Sequence, residues 1–420
     1  MTTVTTAVSQ WFVSREVIAA AVGPRGHLTQ ARWVPLSAID RYTCTMTGCA
    51  AASTIEGSKR QEQVMTFWLA KRWITEREAL NRGNSAGGHP FGPAHALPAG
   101  VLSLNFWRSY VITMRPYLLF VSGITGIVGM SQAPDMPLLD TALLASAFFL
   151  SYGLGQALTD CFQTDTDSLS SPYRPLVQGK VRRRDVLAVS LIGLTAGGTV
   201  LVLYNSVNLP LVLLGIAGLA TYTPFKRRWW SGPFYNAWIV AVLCLIGYTS
   251  AIGAARVPFA WSPALVATLF AVLFGYANFV LAGYFKDISA DRATGYRTLP
   301  VVFGLRASSI VSDLFALLAL VACGVALYYT FDGAGPGVEH VPALLFTGVG
   351  ATSAVLAQMR LHRVRSEAEA HGAIGLVVHA YILLLSAIVA AQEPWWSVAT
   401  AIIYAGFVVA MALRPMREQI

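Results

Sequence analysis

Residues 262–292 read SPALVATLFAVLFGYANFVLAGYFKDISADR. The first 24 of them carry no charged side chain. As a helix rising about 1.5 Å per residue, they would cross the roughly 30 Å apolar core of a bilayer. The stretch then stops on Lys286, Asp287, Asp291 and Arg292. A membrane span closing on two carboxylates sets the reading of the whole chain.

Outward from this span the pattern recurs. Apolar segments fall at about 111–131, 138–162, 185–205, 208–224, 236–255, 262–286, 308–330, 341–359, 372–392 and 396–413. That is ten candidates, or nine if the shorter 208–224 and 396–413 do not both cross. They are rich in Ala, Gly, Leu and Val, as closely packed membrane helices tend to be. Composition agrees: 55% of the 420 residues are hydrophobic and only 12% are charged, about half the share of a soluble domain. Soluble enzymes, disordered chains, collagen and small disulfide scaffolds are excluded on those figures. The expected fold class is all-α, a polytopic membrane helical bundle of nine or ten transmembrane helices over residues 105–420. Residues 1–104 form a polar N-terminal extension with Gly-rich, turn-like patches and no apolar run long enough to span. They are expected to be poorly ordered or to precede a true start further on, such as Met65. The stretch from Phe67 to Leu80 could form one amphipathic surface helix.

The net charge of +9 follows the topology. The loops after the second, fourth, sixth and eighth segments hold fifteen Lys and Arg, whereas the alternate loops hold only Arg256. This asymmetry places the N-terminus and the even loops in the cytoplasm. No aromatic-basic module supports a nucleic-acid partner. Cys161, Cys244 and Cys323 sit singly in or beside apolar segments, where Cys packs as a small hydrophobe. Zincin, P-loop and hydrolase motifs are missing from the sequence. Arg outnumbers Lys 25 to 5, a composition that suggests a GC-rich bacterial genome and hence a bacterial plasma membrane.

Against this sparse charge, two acidic clusters stand out, both on the expected cytoplasmic side. The first runs Thr159-Asp160-Cys161-Phe162-Gln163-Thr164-Asp165-Thr166-Asp167. If the helix continues through it, Asp160, Gln163 and Asp167 share one face and Asp165 points elsewhere. The second holds Asp287 and Asp291, four apart and therefore side by side on a helix. Like charges at that spacing repel unless a cation lies between them. Oxygen ligands from two helices suit Mg²⁺, which binds a few carboxylates together with substrate phosphates. Arg174, Lys180, Lys286 and Arg297 follow closely and could complete the neutralisation of a diphosphate. Asn278 and Asp313 are polar residues inside apolar segments, where such groups are candidates for function. Asp313 lies close enough to a segment end to be simply interfacial.

At these residues the chain resembles the UbiA superfamily of intramembrane prenyltransferases, over about residues 105–413. That family carries a first motif N-D-x-x-D-x-x-x-D, followed by P-Y-R-P in chlorophyll-synthase-like members. Aligning on Pro172-Tyr173-Arg174-Pro175 puts Thr159 at the Asn position, Asp160 next, Gln163 at the middle Asp and Asp167 at the last. The second motif, D-x-x-x-D, matches Asp287 and Asp291 within a K-D-x-x-x-D-R-x-x-G-x-R-T-L-P pattern that runs from Lys286 to Pro300. Arg115-Pro116 resembles the family's first-helix entry, and Tyr222-Thr223-Pro224 followed by Asn236 its central loop. Thr159 and Gln163 depart from the pattern and lessen the charge offered to a first metal.

The resemblance implies a membrane enzyme acting on an isoprenoid diphosphate. Mg²⁺ would be held by Asp160, Asp167, Asp287 and Asp291, with Arg174, Lys180, Lys286 and Arg297 on the diphosphate. Arg115, Gln163, Asn236, Asn278 and Tyr284 are further pocket candidates. Ionisation would leave an allylic cation in a dry apolar cavity, with Tyr117, Phe120, Tyr152, Tyr276 and Phe279 as candidate aromatic faces. A lipid-soluble acceptor, aromatic for preference, would capture the cation. Two other readings stay open: a cyclase of the same fold, in which the substrate's own alkene captures the cation, and an ion-coupled transporter. Carboxylates at the span ends, away from the midplane, count against the transporter.

Overall fold

The computed structural model of the protein describes residues 98–133, 136–332 and 335–414. The N-terminal extension lies outside the described residues up to residue 97, together with its Phe67–Leu80 stretch, Cys44 and Cys49. Thirteen α-helices follow in the described residues: α1 Leu104–Met114, α2 Pro116–Met130, α3 Leu138–Asp160, α4 Thr164–Ser170, α5 Arg183–Tyr204, α6 Asn208–Lys226, α7 Gly232–Ala255, α8 Pro263–Gly283, α9 Ile288–Ala293, α10 Leu299–Thr330, α11 Val341–Leu361, α12 Glu367–Gln392 and α13 Ser397–Ala412. Among the described residues there is no strand beyond an isolated bridge between Ala99 and Val181. Nine helical spans there are long and apolar enough to cross a membrane, or ten if the bent α1–α2 pair is one span. The multi-pass all-α bundle expected from the apolar segments is therefore present, and both short segments, 208–224 and 396–413, form helices of that kind.

The helix starts are chemically marked. Ser103 accepts a hydrogen bond from the Phe106 N–H at 3.2 Å, and Ser262 one from the Leu265 N–H at 3.0 Å. Pro116, Pro233, Pro263 and Pro300 occupy first-turn positions, where a missing N–H costs nothing. The helices also break where the apolar pattern alone shows no break. The expected first segment is two helices at 58°, joined at Arg115 with φ 54° and ψ 77°. Pro116 disfavours the right-handed helical region for the residue before it, so α1 does not run on through Arg115, which stands left-handed, and α2 starts afresh. Likewise α3 does not continue to Asp167. It stops at Asp160, and the chain restarts as α4 after Gln163, which has left the helical region.

The bundle is built around α12, the most enclosed span, with α8, α10, α11 and α2 against it. Where α2 crosses α7, the backbones touch. A Cβ on Gly129 would run into the Cys244 carbonyl, and one on Gly247 into the Gly126 carbonyl. Only glycine allows this approach. Small residues thus set the spacing of the two helices.

Gly247→Ala should therefore lower stability by about 1–3 kcal/mol, the usual cost of overpacking. A Cβ on Gly324 of α10 meets nothing within 4 Å, so Gly324→Ala should be neutral or mildly stabilising. Thermal unfolding of the two purified variants in detergent checks this; equal midpoints would mean that the α2–α7 contact is not a tight one.

Candidate active site

At one end of the bundle α3, α6 and α8 finish, and α7, α10 and α12 begin. From that end a cavity of about 1020 Å³ runs inward. Its walls are mainly apolar, with Leu118, Ile239, Leu243 and Ile246 among them, and the rings of Tyr117, Tyr152, Tyr276 and Phe279. It also includes Leu150, Ile192 and Ile216, which lie on the outer surface of α3, α5 and α6, so the cavity reaches the flank of the bundle. Its charged end carries Arg115, Asp167, Arg174, Lys226, Lys286 and Asp287.

Asp160, the last residue of α3, is 2% exposed and sits behind this end. The Arg115 Nη2 donates to both of its oxygens, at 3.1 and 3.2 Å. Gln156, one turn earlier on the same helix, donates from Nε2 to Oδ1 at 2.6 Å. The Arg174 Nη1 lies 3.4 Å from Asp160 Oδ1 and also pairs with Asp167 Oδ2. The first motif is thus closed by arginine: Asp160 and Asp167 meet across the helix break because one guanidinium bridges them. Burial pushes the Asp167 carboxyl up to about 6, against the pull of Arg174 and with Asp160 adding to the rise. Gln163 lines the cavity as the residue before α4, while the Asp165 side chain lies outside the described residues.

The second motif is also bent. After α8 a 3₁₀ turn, Tyr284–Lys286, leads to Asp287 at the cap position of α9. The Asp291 N–H donates to the Asp287 carbonyl at 2.7 Å. Asp287 faces the cavity, but Asp291 is fully buried. Thr298 Oγ1 donates to Asp291 Oδ2 at 3.1 Å, and Oδ1 has no hydrogen-bond partner. Burial pushes the Asp291 carboxyl up to about 6, with Lys226 opposing and Asp287 reinforcing the rise.

Most expected site residues come together here. Tyr284 lines the cavity, its hydroxyl 3.2 Å from that of Tyr222, and Asn236 lines it as well. Others do not. Lys180 and Arg297 are exposed and lie off the cavity; the Arg297 N–H instead donates to the Arg227 carbonyl at 3.0 Å. Asn278 is a bundle contact outside the cavity wall: Ser312 donates to its Oδ1 at 2.5 Å and lies 3.0 Å from Gln358 Oε1. Phe120 packs against Phe149 and Phe407, away from the cavity. Asp313 pairs with His362 at 2.6 Å on the surface, the interfacial alternative.

Lys226, like Gln156, is a site residue that the sequence reading did not single out. It is nearly buried at the end of α6, over the rings of Tyr284 and Tyr296 at 5.7 and 5.3 Å. Asp287 and Asp291 both lie close enough to act on it, and Lys286 stands among Arg115, Arg174 and Lys226. The signal was present in Tyr222-Thr223-Pro224-Phe225-Lys226, where the lysine was counted only as a loop charge.

The donor set has the chemistry of a hard divalent cation: carboxylate oxygens, one of them a buried acceptor left unsatisfied at Asp291. Among the described residues no three His, Cys, Asp or Glu side chains converge as a preformed cage. A cation here would take one or two of these carboxylates and complete its shell with water and phosphate oxygens, as Mg²⁺ does.

Comparison with known proteins agrees with the geometry. Residues 119–371 match the UbiA prenyltransferase family. A digeranylgeranylglyceryl phosphate synthase of Thermococcus kodakarensis is 32% identical over 218 residues, 51% of this chain and 76% of that protein. The enzyme of the same name from Thermococcus sibiricus is 25% identical over 244 residues, 58% of this chain and 83% of that protein. In the solved apo structure of a UbiA homologue from Aeropyrum pernix K1, the same fold superposes with a TM-score of 0.51 at 22% identity, covering 70% of this chain and 98% of that one. With a family match over more than half its length and the two motifs gathered at one cavity, the chain belongs to the UbiA prenyltransferase family and is a multi-pass membrane prenyltransferase.

Proposed function

We propose that the enzyme transfers the prenyl group of an allylic isoprenoid diphosphate, farnesyl or geranylgeranyl in length, to a lipid-soluble acceptor, releasing diphosphate and requiring Mg²⁺. The observation that carries this reading is the gathering of Arg115, Asp167, Arg174, Lys226, Lys286 and Asp287 at one end of an otherwise apolar cavity. Asp287 and Asp291 on one side and Asp167 on the other would hold Mg²⁺, which when bound supplies Lewis-acid neutralisation of the leaving diphosphate; Asp160 would join them only on giving up its bonds to Arg115, Arg174 and Gln156. Arg115, Arg174, Lys226 and Lys286 offer fixed positive charge to the phosphate oxygens. The apolar walls keep water from an allylic cation, and the rings of Tyr117, Tyr152, Tyr276 and Phe279 can face it. The loop asymmetry supports a charged end on the cytoplasmic face of a bacterial plasma membrane. An aromatic acceptor is what the sequence resemblance implies. The relatives named for digeranylgeranylglyceryl phosphate support a geranylgeranyl donor and bring in a glyceryl phosphate ether as the second acceptor to test.

The test is incubation of the membrane-embedded enzyme with labelled farnesyl or geranylgeranyl diphosphate and Mg²⁺, with an aromatic acceptor, with a glyceryl phosphate ether, and with neither. Acceptor-dependent product is expected. Hydrocarbon formed without acceptor would turn the reading to a cyclase, and no diphosphate release in any arm would sink both. Asp287→Ala and Asp291→Ala should each reduce turnover by at least about 10²-fold while membrane insertion is retained. Full activity in either would remove that carboxylate from the site.

Lys226→Met should lower kcat/KM for the diphosphate about tenfold to a hundredfold, the worth of a charge-assisted contact in a buried site. An unchanged kcat/KM would show that this lysine only packs against the tyrosines.

The raised Asp167 and Asp291 carboxyls also give a pH signature. The folded protein holds more protons than the unfolded chain between about pH 4, the ordinary carboxylate value, and about pH 6. These two groups therefore favour the fold at low pH, and that contribution is lost as pH rises through the window. A cation bound above it offsets the loss. Mg²⁺ should raise the thermal midpoint of the enzyme at pH 7.5 and raise it much less at pH 5; an equal rise at both would separate the cation from these carboxylates.

A further inference from the structure

Outside the cavity, one carboxylate is aimed at the second motif. Glu367 is the first residue of α12. Its Oε1 accepts the Ser289 backbone N–H at 2.5 Å, and its Oε2 accepts the Ser289 hydroxyl at 2.7 Å. The two residues are 78 apart in sequence. Ser289 stands between the motif carboxylates, two residues after Asp287 and two before Asp291. At about 100° per residue, a helical position two steps from both lies on the opposite side from them. Glu367 thus grips the outer side of the α9 turn whose inner side carries Asp287 and Asp291.

The turn has little stability of its own. α9 has six residues, well below the length at which a helix persists by itself. Asp287 gives it no side-chain cap. Its inner side is held by the Thr298 bond to Asp291 and by the Lys226 charge. On the other side of the contact, Glu367 opens the most enclosed span of the bundle, and Ile374, two turns on, lines the cavity. The carboxylate therefore ties the least self-sufficient piece of the site to the most firmly packed one.

We propose that Glu367 is a positioning residue for the metal-binding carboxylates: through its two bonds to Ser289 it sets the placement of Asp287 and Asp291, and so how readily they take the divalent cation. This rests on the prenyltransferase reading of the cavity. Glu367 touches neither substrate nor metal. Its effect is read in how much Mg²⁺ the enzyme needs.

The experiment uses the full chain in membranes or nanodiscs and measures diphosphate release against Mg²⁺ concentration at saturating prenyl diphosphate. Glu367→Ala should raise the Mg²⁺ concentration for half-maximal rate about tenfold to a hundredfold, the usual scale for losing a group that orients metal ligands, with a much smaller change in the rate at saturating Mg²⁺. Glu367→Gln keeps an oxygen for the Ser289 N–H but not the second carboxylate oxygen that takes the hydroxyl, and should fall between wild type and Glu367→Ala. Ser289→Ala keeps the backbone bond and should also be intermediate. Glu369→Ala is the control. Glu369 accepts bonds from the Arg365 N–H and the Ser366 hydroxyl at the start of the same helix and does not reach Ser289. Its loss frays the same turn and should leave the Mg²⁺ requirement unchanged. An unchanged requirement in Glu367→Ala, or an equal rise in Glu369→Ala, overturns the proposal. If wild type releases no diphosphate at any Mg²⁺ concentration, the prenyltransferase reading fails first, a result distinguishable from either of these.

Discussion

Arg115 holds Asp160 inside a bundle with few other charges, and the site is arranged around that pair. Burying a carboxylate costs several kcal/mol unless a cation and hydrogen bonds compensate, and leaving one partner alone costs about 3–5 kcal/mol. Asp160 receives three donors, from Arg115, Arg174 and Gln156. The left-handed turn at Arg115 is itself strained by about a kilocalorie per mole. It persists because Pro116 blocks the straight alternative and because it lets the guanidinium reach α3. The bend between α1 and α2, the end of α3 and the position of the P-Y-R-P loop thus share one electrostatic requirement.

The same requirement explains which parts of the fold were legible in the sequence. Span number and length follow from one-dimensional hydropathy, and the described residues hold the nine or ten spans that the apolar segments suggest. The motif carboxylates stood out because so few other acidic residues occur in the membrane region. What stayed hidden was set by partners far away in sequence. The α3 helix ends at Asp160 although nothing in Cys161-Phe162-Gln163 forbids another turn; Arg174 bridging to Asp167 is what rewards the break. Lys226 reads as an ordinary loop charge until the rings of Tyr284 and Tyr296 are seen beside it. Lys180 and Arg297 have the right sign and neighbourhood, but the turns that carry them face outward. Asn278 shows that a polar residue in a span can serve helix packing as readily as chemistry.

The departures from the family pattern at Thr159 and Gln163 also gain a physical setting. Thr159 turns its hydroxyl back to the Gln156 carbonyl at 3.0 Å. The amide that contacts Asp160 comes from Gln156, one turn earlier. Gln163 stands on the cavity wall as a neutral group. The first motif therefore has fewer anionic ligands than the pattern offers, and two arginines close to them. The second motif, with Asp291 Oδ1 unsatisfied, keeps the freer oxygen.

Both motifs end on helices of seven and six residues, α4 and α9, attached to the tips of long spans. Such short pieces have almost no helical stability of their own, whereas the spans are held by extensive packing. The protein therefore has two stabilities. Local opening of α4 or α9 separates the carboxylates while the bundle stays folded, so amide exchange in these two segments should be governed by site chemistry and exchange in the spans by the global fold. Gentle heating would disable such an enzyme well before it unfolds, and whatever fills the site would protect those two short turns first.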